Sequence, residues 1–267
     1  MASIKERVIK KLERQEKTYE TTQLMKEKRS EEYDALEEVF DRSTLMTIYD
    51  LMNKGEIQNI YGSVKAGKES KLYWGTRPNG EVIAIKIYLT LSAEFRKGML
   101  PYIAGDPRFK HVRRDPKSLI YTWARKEYRN LTEAYAAKVR VPKPIAVEKN
   151  VLIMEFIGEK GQSAPLLRET NLQDPQRTYK ILLTYVEKLF KKAKLVHGDL
   201  SEYNVMIWKN NPVIFDMSQS VNLEHPNAMQ LLKRDIENLN RYFKRIGVNV
   251  TSTEDVFRRV SGASNVR

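Results

Sequence analysis

No cysteine occurs among the 267 residues, so disulfides and thiolate metal sites are excluded and the chain needs no oxidising compartment. Histidine is almost as scarce: His111, His197 and His225 are too scattered to form a metal cluster. There is no apolar run of roughly 18 residues and no signal-type amino terminus, which predicts a soluble, cytoplasmic protein without membrane contact. No internal repeat is present, and the aromatic residues follow core spacings rather than those of a stacking platform. Acidic residues are in the minority, 34 against 47 Lys and Arg, for a net charge of +13. Such a surplus favours a polyanionic partner such as RNA, or an anionic substrate, although solubility would also account for it.

A chain of this length accommodates one large domain or two lobes around a cleft. Residues 1–40 are dense in Lys, Glu and Arg with sparse apolar positions, which predicts a solvated, partly frayed helix. Asp41 caps a short helix with a stripe of Leu45, Ile48, Tyr49 and Met52, stopped by Gly55 and expected to dock on the first lobe. The period then turns strand-like over residues 60–64, 70–74 and 81–88, with Pro78-Asn79-Gly80 as a turn. Residues 90–116 carry Gly98, Pro101, Gly105, Pro107 and the basic cluster Arg108, Lys110, Arg113 and Arg114, and are expected to be a long mobile loop. Asp115-Pro116 opens a long helix. Strands over 145–147 and 151–156 lead to a composition break at Gly158 and Gly161, expected as the hinge. Beyond it the pattern is mainly helical. Asp174-Pro175 starts a helix with Tyr179, Leu182, Val186, Leu189 and Ala193 on one face, and another covers about 227–246. A hairpin turning at Lys209-Asn210-Asn211-Pro212 lies between them.

Two charges stand where their elements should be greasy. Lys86 is the single cation in Val82-Ile83-Ala84-Ile85-Lys86-Ile87-Tyr88, a run apolar enough to be covered on both faces. Glu127 sits in the stripe Ile120, Trp123, Glu127, Leu131, Ala134. Each charge is expensive there unless it meets the other. An ordinary buried ion pair would explain these two residues alone.

The polar cluster His197-Gly198-Asp199-Leu200-Ser201-Glu202-Tyr203-Asn204 lies between strands and is followed by Val213-Ile214-Phe215 ending in Asp216. Phosphoryl transfer needs a carboxylate to orient or accept the proton of an attacking hydroxyl, together with oxygen ligands for magnesium. Asp199, Asn204 and Asp216 supply that set, and the hairpin lets them meet at one edge of a cleft. Any one of them alone would read as a loop cap.

The stretch 62–70 nearly spells GxxxxGK[ST]. Glu69, however, stands where a hydroxyl is required, and Leu72-Tyr73-Trp74 is strand-like where the P-loop needs a helix. The segment is read as a phosphate-covering loop between strands.

Glycine loop, strand Lys, helix Glu, apolar strand, HxDxxxxN and strand-terminal Asp follow the protein-kinase order. With Gly67-Lys68-Glu69-Ser70, WARKEYRNL from Trp123, LIMEFIG from Leu152 and LVHGDLSEYN from Leu195, residues 41–247 resemble the Rio family of atypical serine/threonine protein kinases, type-one subfamily. The resemblance implies an α+β, bilobal kinase-like fold. A helical extension (1–55) would precede an antiparallel-sheet N-lobe with one long helix (56–157) and a truncated, mainly helical C-lobe (158–267). It implies that Lys86, paired with Glu127, contacts nucleotide phosphates, joined by Val64 and Lys68. Glu155 and Ile157 would meet adenine through backbone groups, with Met154 behind. Asp199 is implied as catalytic acid/base, with Asn204 and Asp216 as metal ligands and Asp216 as the site of a transient aspartyl-phosphate. Implied cofactors are ATP and magnesium, or manganese. Implied partners are the pre-ribosomal small-subunit particle and its RNA, with ATPase cycling as one possible use.

Departures from ordinary kinases are clear. Gly198 replaces the Arg of HRD, Asp216-Met217-Ser218 replaces DFG, and no APE-like segment follows, so activation by loop phosphorylation is not expected. Ser218 also departs from the commoner Rio pattern. Two other readings stand beside the first. Aminoglycoside- or choline-type small-molecule kinases also use HGD followed by Asn, and a basic RNA-binding assembly factor would explain the charge.

Overall fold

The computed structural model describes residues 40–66, 69–89, 93–109 and 115–262. The chain divides into two compact units, one ending at Met46 and one starting at Thr47. Asp41 Oδ1 accepts the Thr44 N–H at 2.8 Å and so caps α1 (Arg42–Asn53). The helix expected of residues 1–40 lies, through residue 39, outside the described residues, as does Lys68.

The second unit is built on a five-stranded antiparallel sheet. Its strands are β1 (Asn59–Ala66), β2 (Ser70–Thr76), β3 (Val82–Tyr88), β4 (Pro144–Glu148) and β5 (Val151–Glu155), in the order β1-β2-β3-β5-β4. Central β3 is the most apolar strand of this sheet because both its faces are covered: Ile83, Ile85 and Ile87 are fully buried on one, and Ala84 and Tyr88 are buried on the other.

Between β3 and β4 the expected long loop is instead a helix, α2 (Ala93–Ala104), followed by a 3₁₀ turn, Pro107–Phe109. Gly98 and Pro101 read as breakers, but tertiary packing overrides them. Met99 and Ile103 are buried with Tyr88, Leu119, Ile120 and Trp123, and His225 donates Nε2–H to the Pro101 carbonyl at 2.8 Å. Arg108, expected among solvated bases, is buried. Its guanidinium grips Asp106 at 2.7 Å, Glu133 at 2.8 Å and Asn130 Oδ1 at 2.8 Å. Residues 110–114 lie outside the described residues.

The long helix α3 (Pro116–Ala136) opens as its sequence indicates, with Pro116 at its start and Asp115 Oδ1 accepting the Ser118 N–H at 3.0 Å. One turn of it, Lys126, Glu127 and Asn130, is polar and yet buried.

After the short hairpin β6 (Gly158–Glu159) and β7 (Gln162–Ser163), the chain becomes mainly helical. Helix α4 (Pro175–Lys188) does not carry its stripe on to Ala193. It widens into a π turn, Leu189–Ala193, closed by Lys194 in the left-handed region with its N–H on the Leu189 carbonyl. Strand β8 (Leu195–Val196) follows, then the hairpin β9 (Val205–Trp208) and β10 (Asn211–Ile214). Trp208 faces Asn211, so the turn is only Lys209-Asn210, both at positive φ (49° and 60°), and Asn211 and Pro212 belong to the strand. A 3₁₀ turn, Met217–Gln219, leads to β11 (Val221–Asn222), paired with β8, and then to α5 (Ala228–Arg245). The last helix, α6 (Thr253–Ser261), was not anticipated. Its signal is Ser252, whose Oγ accepts the Asp255 N–H at 3.1 Å.

Two expectations follow. Arg108→Met leaves Asp106 buried without its partner and should lower stability by about 3 kcal/mol in urea unfolding, whereas Arg129→Met, at an exposed ion pair, should change it little. Burial pushes Lys126 down to about 7 from its ordinary 10.5. Between those values the folded chain binds fewer protons here than the unfolded chain, so the stability from a neutral Lys126 is present above the window and lost as pH falls through about 7. Urea midpoints should therefore rise with pH in the parent relative to Lys126→Met, by on the order of 1 kcal/mol per pH unit. Parallel pH profiles would refute this.

Candidate functional site

Lys86 points from β3 toward α3. Its Nζ lies 2.8 Å and 3.0 Å from the two carboxylate oxygens of Glu127, and 3.1 Å from Asp216 Oδ1. One ammonium thus serves two carboxylates. Burial favours the neutral amine, but Asp216 and Glu127 outweigh it and hold Lys86 above the usual lysine range. Glu127 is shifted upward by burial, with Lys86 pulling the other way. At Asp216 partial burial is overcome by Lys86 and by the Ser218 hydroxyl, which donates to Oδ1 at 2.9 Å, so this carboxyl sits below its usual range. Asp216 is in the left-handed region (φ 59°), and its side chain is 43 % exposed, open enough to meet a ligand.

The segment from His197 to Asn204 is held from behind. Asn204 Nδ2 donates to the Asp199 carbonyl at 2.7 Å and to Asp199 Oδ2 at 2.9 Å. The Phe215 N–H reaches the Asn204 carbonyl at 3.1 Å, tying this loop to the strand that delivers Asp216. His197 is buried and pushed toward its neutral form by that burial. Its Nε2 faces the Phe215 carbonyl at 3.2 Å, and Nδ1 accepts the Asp199 N–H at 3.3 Å, which assigns the tautomer and a scaffolding role. Gly198 has φ 81°, and a Cβ there would lie 3.0 Å from the Gln219 carbonyl, so an arginine would be strained and crowded.

The anchor that sequence reasoning missed is Asp235 on α5. Its oxygens accept the Gly198 N–H at 2.8 Å and the Leu200 N–H at 2.9 Å, while Asn238 donates to the Leu200 carbonyl at 3.1 Å and Arg234 to that of Gly198. Burial pushes Asp235 up to about 7 in spite of these donors. The signal was present: Asp235 interrupts the stripe Leu231, Leu232, Ile236, Leu239, as Glu127 interrupts its own. Glu69 was also passed over. Partial burial, with the charges of Asp216 and Asp199, pushes its carboxyl up, which puts the glycine-loop end against the same cleft.

Along the connection between lobes, Met154 is half-buried opposite Ala84, and Ile157 is buried. The Glu155 carboxylate pairs with Arg140 at 2.6 Å, its N–H with the Lys143 carbonyl at 2.8 Å, and the Ile157 carbonyl accepts the Ala164 N–H at 2.9 Å. Val64 is half-buried on β1. Lys86, Glu127 and Asp216 are thus directly joined, and Asp199 and Asn204 form a second joined pair.

Comparison with known proteins identifies the family. The family model described as the RIO domain matches residues 71–256. The RIO-type serine/threonine-protein kinase Rio1 of Haloferax volcanii is 37 % identical over 238 residues, 89 % of this chain and 81 % of the relative. Its namesake in Methanocaldococcus jannaschii is 36 % identical over 248 residues, 92 % and 84 % of the two chains. The human serine/threonine-protein kinase RIO1 is 36 % identical over 233 residues, and there the chain spans only 41 % of the relative. In fold, the Rio2 kinase–ADP/Mg2+–phosphoaspartate complex from Chaetomium thermophilum superposes with a TM-score of 0.61 at 21 % identity, covering 81 % of this chain and 66 % of that one. The α+β, two-lobed kinase-like fold is therefore shared, and the chain belongs to the RIO family, in its type-one branch.

Proposed function

We propose that the protein is an ATP-dependent atypical serine/threonine kinase of the Rio type, with ATPase activity, acting on the small ribosomal subunit during its maturation. The observation that carries this reading is the single Lys86 ammonium shared by Glu127 and Asp216, beside the Asp199 and Asn204 pair. In this reading the lobes divide at residue 157, after an extension through residue 55. Relatives named serine/threonine-protein kinase Rio1, and a Rio2 structure described with ADP, Mg2+ and phosphoaspartate, support it.

The donor set fits magnesium, or manganese. The Asn204 amide nitrogen is engaged with Asp199, which turns its oxygen outward, and Asp216 has Oδ1 engaged and Oδ2 left over. Bound there, the ion would neutralise charge on the β- and γ-phosphates. Lys86 would grip the phosphates, and the Glu155 carbonyl and Ile157 N–H would meet the adenine edge in front of Met154, with Val64 and Lys68 as further nucleotide-binding residues. Asp199 would orient the attacking hydroxyl and take its proton. Where Asp216 is the nucleophile, its oxygen bonds to the γ-phosphorus as the bond to ADP breaks, and ADP leaves with the electron pair. Water or a serine or threonine hydroxyl then attacks the phosphorus of the acyl phosphate, passing its proton to Asp199 while the Asp216 carboxylate leaves with the bonding pair. The net charge of +13 supports pre-ribosomal RNA as a partner, and a chain without cysteine is compatible with a cytoplasmic site of action.

Asp199→Ala should reduce phosphate transfer by roughly 100-fold or more while leaving ADP affinity near that of the parent in calorimetry. Unchanged turnover would sink the assignment. With γ-labelled ATP, protein-bound label should be released by hydroxylamine and be absent from Asp216→Asn. Label recovered as phosphoserine in both proteins would remove the acyl-phosphate step, and free phosphate alone would point to plain ATP hydrolysis.

A further inference from the structure

The helix that presents Glu127 to Lys86 carries a second buried polar set, which the account of phosphate binding leaves unused. Lys126 and Asn130 are fully buried. Lys126 Nζ donates to the Ser218 carbonyl at 3.0 Å and to the Ser220 carbonyl. Asn130 Nδ2 donates to the carbonyls of Met217 at 2.8 Å and Ser220 at 3.0 Å. Its amide cannot turn over, because Oδ1 accepts Arg108 Nη2 at 2.8 Å. Four donor contacts thus hold three carbonyls of the one turn that follows Asp216.

That turn decides where the Asp216 carboxylate points. Asp216 leaves β10 with φ 59° and ψ 62°, a backbone conformation that non-glycine residues keep only when their surroundings impose it. Ser218 is fixed at both ends, its carbonyl on Lys126 and its hydroxyl on Asp216 Oδ1. The packing alone does not call for a lysine. A methionine would fill much the same volume without burying an amine, so what the amine adds is its hold on the turn.

We infer that Lys126 and Asn130 are positioning residues that aim the Asp216 carboxylate, so that a single turn of α3 sets both the Lys86 ammonium, through Glu127, and its carboxylate partner across the cleft. The inference rests on the proposed role of Asp216 as a metal ligand and phosphate acceptor. Groups that orient a ligand from behind are tied to metal affinity and rate almost as closely as the ligands themselves.

The test uses the full chain and compares Lys126→Met and Asn130→Asp with Val256→Ala, a buried change in α6 that serves as a control for lost stability. In both test variants kcat should fall about 10- to 100-fold and the magnesium concentration for half-maximal rate should rise about tenfold, with the control at parent values. At saturating magnesium the KM for ATP should stay within about twofold, because adenine and phosphate contacts are untouched. Independently of turnover, Mn2+ affinity in the presence of ADP, read by electron paramagnetic resonance, should drop about tenfold in the test variants only. Variants that match the control in magnesium dependence and Mn2+ affinity overturn the inference. A parent that turns over no ATP removes the kinase reading, and the Mn2+ comparison then decides the positioning role alone. Should Lys126→Met fail to fold, Asn130→Asp, which keeps volume and the Arg108 contact, carries the same expectations.

Discussion

An ammonium group in the middle of an apolar strand organises this molecule. Lys86 is costly on central β3 unless opposite charge meets it, and two carboxylates do so from separate parts of the chain, Glu127 on α3 and Asp216 after β10. The sheet, the long helix and the C-terminal lobe are thereby referred to a single nitrogen. Each carboxylate is held in turn by its own neighbours: Glu127 by the docking of α3, Asp216 by Ser218 and the carbonyl-bound turn behind it. The arrangement is electrostatically lopsided, with two negative groups for one positive. A site of that balance suits a ligand that brings cations along with its phosphates.

The second half of the site follows a different logic. Asp199 and Asn204 are positioned mainly by backbone-directed hydrogen bonds, with Asp235 gripping the N–H groups on either side of Asp199 and His197 filling the space beneath. In many kinases an arginine precedes this aspartate. Here the backbone at that position is left-handed and crowded by the Gln219 carbonyl, so glycine is the residue that fits. The absence of that arginine is thus a matter of local geometry as well as of regulation.

Much of this was legible in the chain because charge in apolar surroundings is a rare and directional signal. Lys86 and Glu127 were readable as partners from periodicity alone, and the five-residue spacing of Asp199 and Asn204 from their loop. Asp235 obeyed the same rule as Glu127 and was overlooked because no motif drew attention to it. The helix α2 was unreadable for another reason. Gly98 and Pro101 disfavour a helix locally, and its stability comes from Met99 and Ile103 packing on residues distant in sequence, with His225 on the Pro101 carbonyl. Arg108 looked like one more solvated base among several. Only the fold reveals Asp106 and Glu133 waiting for it. Lys126 was likewise hidden, since its partners are main-chain carbonyls, which leave no trace in residue types.

The π turn that ends α4 contributes through angle. Leu189–Ala193 close with one residue more than an α-helical turn would use, and in a helix each residue swings the chain by about 100° around the axis. Beyond it, Lys194 reverses the backbone hand, and only two residues separate it from the imidazole under the cleft. Shortened by that one residue, the same helix would release the chain on a different side, and His197 would be directed away from the Phe215 carbonyl. The aim of the whole loop therefore depends on a local miscount in a helix that touches none of the chemistry.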